Sequence, residues 1–171
     1  MATVALNAAK SYYEEKHDRG AFIKDIISDN IMLGDIYMRA KELRVTADMP
    51  RGVFVIRSLK KGESVPTDVI QAQFPDRQSD FVLSVGEGDV VLIRQMPEGS
   101  GIKELNKIAA SVEESLRAGS DPTVVVGIGT IAIHLRDLAK SYKEAQIAIE
   151  VGKVFDTENT SSTMRTWESA G

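Results

Sequence analysis

The chain contains no cysteine, so disulfides, thiol nucleophiles and Cys-ligated zinc are excluded. Histidine is scarce as well: His17 and His134 are the only two, too few for a three-histidine zinc site. Basic residues are neither in excess nor clustered. Lysine and arginine number 21 against 25 acidic residues, for a net charge of −4, and Lys60-Lys61 is the only adjacent basic pair. A surface that meets nucleic acid concentrates Lys and Arg opposite phosphates, so direct DNA or RNA binding by this segment is not expected. Long apolar runs are missing too, because the longest nearly apolar stretch, residues 123 to 133, is about half the length a membrane helix needs. No charged-then-apolar leader opens the sequence. The expectation is a cytoplasmic protein with no membrane partner.

What is present is globular. Apolar residues make up 43% and charged residues 27% of 171 positions, which is neither disordered nor fibrous composition. The length suits one ordinary domain with a helical appendage.

The first fifty residues read as helical. Val4 to His17 is rich in Ala, Glu and Lys, which are good helix formers. Phe22, Ile23, Ile26 and Ile27 fall at i, i+1, i+4 and i+5, an apolar stripe on one helical face. Asp29-Asn30 reads as a break, and Ile36 to Leu43 continues as a short helix. The period then changes. Val53-Phe54-Val55-Ile56 is a short unbroken apolar run, the mark of a strand buried on both faces. Pro66 suits the first turn of a helix running to about Phe74. Phe81, Leu83 and Val85 alternate with Asp80, Val82 and Ser84, Gly86-Glu87-Gly88 is a turn, and Asp89 to Arg94 is a second strand, together a β-hairpin.

Ile102, Leu105, Ala109, Val112 and Leu116 step by three and four, an amphipathic helix ended by Gly119. Residues 123 to 128 form another buried strand. Leu135, Leu138, Tyr142, Ala145 and Ile149 repeat the helical stepping, so a helix is expected over 133–151, with Gly152 capping it. Thr163 to Trp167 reads as a closing strand. The order is two helices, then β-α-β-β-α-β-α-β, and it predicts an α/β (α+β) sandwich with helices packed on the sheet. Residues 1–50 are expected to be an N-terminal helical linker or dimerisation segment and 51–171 the α/β domain.

Three stretches together carry a resemblance. Val126-Gly127-Ile128-Gly129, followed by Leu135, Leu138-Ala139, Ser141-Tyr142, Glu144-Ala145, Ala148 and Gly152, resembles the signature of the carbohydrate diacid regulator and purine-catabolism regulator family. Phe22-Ile23, Asp25-Ile26-Ile27, Asp35-Ile36, Arg39-Ala40 and Leu43 are similar to the helical entry of that family's central domain. Gly86-Glu87-Gly88-Asp89-Val90 sits where the degenerate GGDEF hairpin belongs. The resemblance covers roughly residues 20 to 156. It implies a nucleotide-cyclase-like sheet and a bacterial transcription regulator. In such a regulator an effector-sensing domain, its ligand a sugar diacid, precedes this piece and a helix-turn-helix DNA-binding domain follows it. A match to the middle piece alone implies a fragment of a longer regulator or a stand-alone domain.

The same resemblance defines what an enzyme would need. An active diguanylate cyclase places an acid for Mg²⁺ at the end of its first strand and a Gly-Gly-Asp/Glu-Glu-Phe turn in its hairpin, the glycines admitting nucleotide and the acids holding metal. Here the first strand ends Ile56-Arg57-Ser58, Glu87 stands for the second glycine and Gly88 for the first acid, leaving only Asp89. Catalysis, a cofactor and a metal are therefore not expected, and Arg57, Gly86, Glu87, Gly88 and Asp89 remain a degenerate motif open to ligand contact.

Other candidates are weaker. Gly127-Ile128-Gly129 lacks the third glycine of a dinucleotide loop, since position 132 is alanine, and a strand-to-helix turn accounts for it. His134 reads as a surface or capping residue, and His17 lies in a charged run. Ser84, Ser100 and Ser141 are not in a Gly-x-Ser-x-Gly context, and Ser141 suits packing or helix-helix hydrogen bonding. The expectation is a non-catalytic signal-relay domain acting as a homodimer, with Phe22, Ile23, Ile26 and Ile27 either forming the dimer contact or covering the domain's own sheet. The rival expectations are a nucleotide- or small-acid-binding module without turnover and a weak cyclase-like enzyme.

Overall fold

A computed structural model describes residues 18–60, 62–119, 123–154 and 165–166. The helix expected over Val4 to His17 lies outside the described residues, as do His17, Lys61 and the closing residues from Trp167. The described chain opens with helix α1, residues 18–27, and α2, Leu33–Leu43. Strand β1, Asp48–Ser58, follows. Helix α3, Thr67–Gln73, has Pro66 at its N-cap. The hairpin strands are β2, Asp80–Val85, and β3, Asp89–Gln95. Helix α4 spans Ile102–Gly119 and strand β4 Val124–Ile128. After them come β5, Ala132–His134, a 3-10 turn at Leu135–Asp137, and α5, Leu138–Glu150. Two short strands, β6 at Lys153–Val154 and β7 at Arg165–Thr166, pair antiparallel.

The main sheet runs β2-β3-β1-β4, with β5 pairing to the first half of β1, and its pairings are antiparallel. The β1-α3-β2 and β3-α4-β4 crossovers each skip a strand, the split β-α-β arrangement. Both faces are buried, which is why β1 shows no alternation: Arg51 to Ile56 are all buried. Phe54, Ile56, Val90, Leu92, Val124, Val126 and Ile128 pack under α3 and α4. Val53, Val55, Phe81, Leu83, Val91, Ile93 and Val125 pack under α1, α2 and α5. The result is a mixed α/β sandwich with helices packed on the sheet, as the pattern predicts, and the sheet has five antiparallel strands, the fifth being β5.

Three expectations need correction. Phe22, Ile23, Ile26 and Ile27 are 0–2% exposed and lie in the core shared with the sheet. Their stripe covers the domain's own β-face and offers no surface to a second copy. Residue 50, where the helical segment was expected to end, lies inside β1, and α1 and α2 share one core with the sheet. The final long helix begins at Leu138 rather than 133, because residues 132–134 pair with β1 and His134 Nδ1 meets Asp48 Oδ1 across the strands at 2.6 Å. The helical layer does leave apolar side chains exposed, at Met32, Leu33, Tyr37 and Met38 around α2.

The Gly127–Gly129 segment has a packing role beyond that of a turn. An added Cβ at Gly127 would overlap the Ala145 carbonyl and lie 2.8 Å from Ile149 Cγ1; one at Gly129 would overlap the Ser141 carbonyl and hydroxyl. The two bare positions thus let α5 lie directly on the backbone of β4. Ser141 and Ala145, one helical turn apart, are the small residues that meet them. The Ser141 hydroxyl donates to the Thr130 carbonyl at 2.5 Å, and Thr130 Oγ1 donates to Glu144 Oε1 at 2.8 Å. The stretches 126–129 and 135–152 that carry part of the resemblance therefore form a helix-on-strand seam.

Candidate functional site

Antiparallel register brings the degenerate motif together. Ile56 faces Val90, so the next residues outward, Arg57 and Asp89, meet across β1 and β3. Alternation places both on the face of Val53 and Val55, beneath α5. Arg57 donates from Nε to Asp89 Oδ1 at 2.9 Å and from Nη2 to Oδ2 at 2.8 Å. This is the bidentate fork that suits guanidinium and carboxylate. Both side chains are partly covered, at 31% and 19% exposure, so solvent screens the pair less than it would a surface pair. The hydrogen bond to Asp89 raises the Arg57 pKa above the usual value; burial opposes it, and the charges of Asp89 and Glu150 and the Tyr142 phenol add to it.

Tyr142 reaches this neighbourhood from α5. It is buried, like Leu138, and Gln146 Nε2 donates to its hydroxyl at 3.0 Å. Burial, followed by the charge of Asp89, pushes the phenol above its ordinary range.

The hairpin turn is built on glycine because Gly86 (φ 64°) and Gly88 (φ 152°) adopt backbone that L side chains rarely reach. Gly88 is also covered by the chain itself. The Val65 N–H donates to its carbonyl at 3.2 Å, and an added Cβ would lie 3.4 Å from the Glu63 carbonyl oxygen and from Ser64 Cα. The β1–α3 loop thus occupies the approach to the backbone that the glycine bares. Two open grooves flank this contact. One, of about 550 Å³, lies between residues 57–60 and the turn; the other, of about 490 Å³, lies between residues 64–68 and the turn. Exposed Glu87 lines both.

The residues present do not fit the divalent metal that the cyclase resemblance implies. Asp89 already gives both carboxylate oxygens to Arg57, and Glu63 faces Lys60 at 3.9 Å. Among the described residues no three His, Asp or Glu side chains converge as metal ligands. No chemical step follows from this site through a metal.

The other candidates are dispersed. His134 pairs with Asp48 on β1, Ser100 donates to the Pro97 carbonyl at 2.6 Å, and Ser141 serves the α5 seam. Sequence reasoning named Arg57 and Asp89 without pairing them; the signal lay in strand register. It missed Arg51, a buried cation on β1, because the apolar run that marks the strand begins only at Val53.

A family model described as the GGDEF-like domain matches residues 29–151, from the turn after α1 to the end of α5. The chain matches no curated protein and no solved structure. No helix among the described residues is long and apolar enough to cross a membrane. With a match over well more than half its length, and with the hairpin and sheet in place, the chain belongs to the GGDEF-like domain family.

Proposed function

We propose that this domain is a non-catalytic signal relay in a bacterial transcription regulator of the sugar diacid regulator kind. It acts as a homodimer and transmits the state of an effector-sensing domain to a helix-turn-helix domain that binds DNA. It uses no cofactor. With the α1 stripe consumed by the core, a dimer contact on the helical layer would draw on Met32, Leu33, Tyr37 and Met38.

The observation that supports this reading best is the Arg57–Asp89 fork. Phosphoryl transfer gathers negative charge, and its catalysis rests on metal ions and positioned donors that neutralise that charge. In this hairpin the carboxylate available to a metal is neutralised by a side-chain cation, and the loop at residues 63–65 sits on Gly88. The two flanking grooves favour a second reading, in which a nucleotide or small acid is bound without turnover.

The test is incubation of the purified chain with GTP and Mg²⁺ or Mn²⁺, followed by chromatography, with equilibrium dialysis of labelled GTP alongside. The expected result is unchanged GTP. Bound but unconverted GTP would select the second reading. A cyclic dinucleotide that disappears in Asp89→Ala would make the protein an enzyme.

A further inference from the structure

The outer edge of the sheet at β2 is open. Among the described strands β2 pairs with β3 alone. Its residues include no lysine, no proline and no register shift, the devices that blunt an exposed edge. Strand register shows which backbone groups face outward. The Gly129 N–H donates to the Val53 carbonyl at 3.0 Å, so Val53, Val55 and Arg57 turn their backbone groups towards β4. Alternate residues of an antiparallel ladder point opposite ways, so Gly52, Phe54 and Ile56 bond to β3 at Arg94, Leu92 and Val90. The Met96 N–H, donating to the Pro50 carbonyl at 2.9 Å, agrees with that parity. Ile93, Val91 and Asp89 therefore bond to β2 at Phe81, Leu83 and Val85. Val82 and Ser84 are left with N–H and C=O pointing away from the sheet. Asp80 shares their parity, and its N–H is taken by the Asp76 carbonyl at 2.9 Å.

These outward groups open into a groove of about 900 Å³. Val82, Leu83 and Ser84 all line it, although successive side chains of a strand point to opposite faces. The groove therefore runs along the edge itself. Helix α1 walls one side with Ala21 and Lys24, and α3 walls the other with Asp68 and Ala72. An added Cβ at Gly20 would lie 3.5 Å from Leu83 Cδ2, which sets α1 on the Leu83 face. Val82 packs on the opposite face, in the cluster under α3.

We propose that this groove binds an extended acidic peptide segment of another protein, which adds to β2 as a further strand of the sheet. Residues of the segment opposite Val82 and Ser84 each exchange two backbone hydrogen bonds in an antiparallel pairing. Their side chains face α3, and the side chain between them faces α1. There the exposed Lys24 has no ion-pair partner among the described residues, so that position selects a carboxylate. Arg77 adds a second exposed cation to the lining, against one acid, Asp68. A second copy is not the occupant that fits, because its own β2 lies between the same two helices. This surface is independent of the relay reading and of the Arg57–Asp89 pair.

The experiment titrates the isotope-labelled chain with the capped peptide Ser-Thr-Glu-Val-Ser and follows backbone amide signals by NMR. The Val82 and Ser84 amides should shift and saturate, half-maximal at about 1 mM, the affinity that four hydrogen bonds of typical net strength provide. The same peptide N-methylated at Thr and Val lacks two of the donors and should bind about tenfold more weakly. A peptide with Lys in place of Glu should bind roughly fivefold more weakly, and Lys24→Glu should reverse that preference. Ser84→Pro removes an outward N–H and no ladder bond, so it should keep the wild-type Tm and lose the peptide response. Absent shifts at Val82 and Ser84, undiminished binding of the N-methylated peptide, an unchanged charge preference in Lys24→Glu, or a Ser84→Pro chain that unfolds or still binds would overturn the proposal. So would light scattering that gives a dimer in which these two amides are already protected from exchange, since that would assign the edge to a second copy.

Discussion

Gly129→Ala is expected to destabilise the domain by about 3 kcal/mol, at the upper end of what overpacking a filled interior costs. The new methyl group would overlap the Ser141 carbonyl and hydroxyl. A flexible side chain can swing away from such a clash, but a helix carbonyl cannot. The whole of α5 would have to lift from β4, loosening Leu138, Tyr142, Ala145 and Ile149 from the core. Gly127→Ala meets the Ala145 carbonyl in the same way and should behave alike. Gly34→Ala is the control: it lies on α2 with nothing within 4 Å, so removing a helical glycine should stabilise by about 0.5–1 kcal/mol. Urea denaturation measures all three. A change within about 0.5 kcal/mol for Gly129→Ala, the range of an unconstrained surface site, would contradict the seam.

Leu138→Ala should cost about 2–5 kcal/mol, the range for truncating a buried leucine. Leu138 is fully buried as the first residue of α5, in the cluster where α1, α2 and α5 meet the sheet. The β-sheet beneath it is hydrogen-bonded from both sides and cannot collapse into the cavity. Ile147→Ala on the same helix removes a side chain that is 54% exposed and should change stability by under about 0.5 kcal/mol. Equal losses at the two positions in chemical denaturation would show that the orientation of α5 is wrong.

Much of this architecture was legible from periodicity. The run Val53–Ile56, the hairpin alternation and the three-and-four stepping of α4 and α5 each report one local geometry, and local geometry is what side-chain spacing encodes. Strand β5 was not legible. Three residues are too few to show a period, and Leu135 and Leu138 lent them to the helix that follows. The stripe of α1 was read correctly as apolar, but periodicity cannot say whether such a face meets its own sheet or another chain. Gly127 and Gly129 read as a turn because a missing side chain signals equally a sharp bend and a close approach.

The site was half legible for a related reason. Arg57 and Asp89 stand 32 positions apart, and only the pairing of β1 with β3 brings them opposite each other. Alone, Arg57 signalled the loss of the first-strand acid, and Asp89 read as the one carboxylate retained. Together they form a closed ion pair. Arg51 was hidden by the ordinary expectation that arginine at the start of a strand stays in water.

The account rests on Asp89 being neutralised by Arg57, and titration of the purified chain with Mn²⁺, followed by water-proton relaxation, tests that most directly. The predicted result is no saturable binding below about 1 mM, an affinity equivalent to roughly −4 kcal/mol, with identical curves for wild type and Asp89→Ala. A stoichiometric Mn²⁺ site tighter than this, lost in Asp89→Ala, would show that the carboxylate is open to metal and would contradict the account.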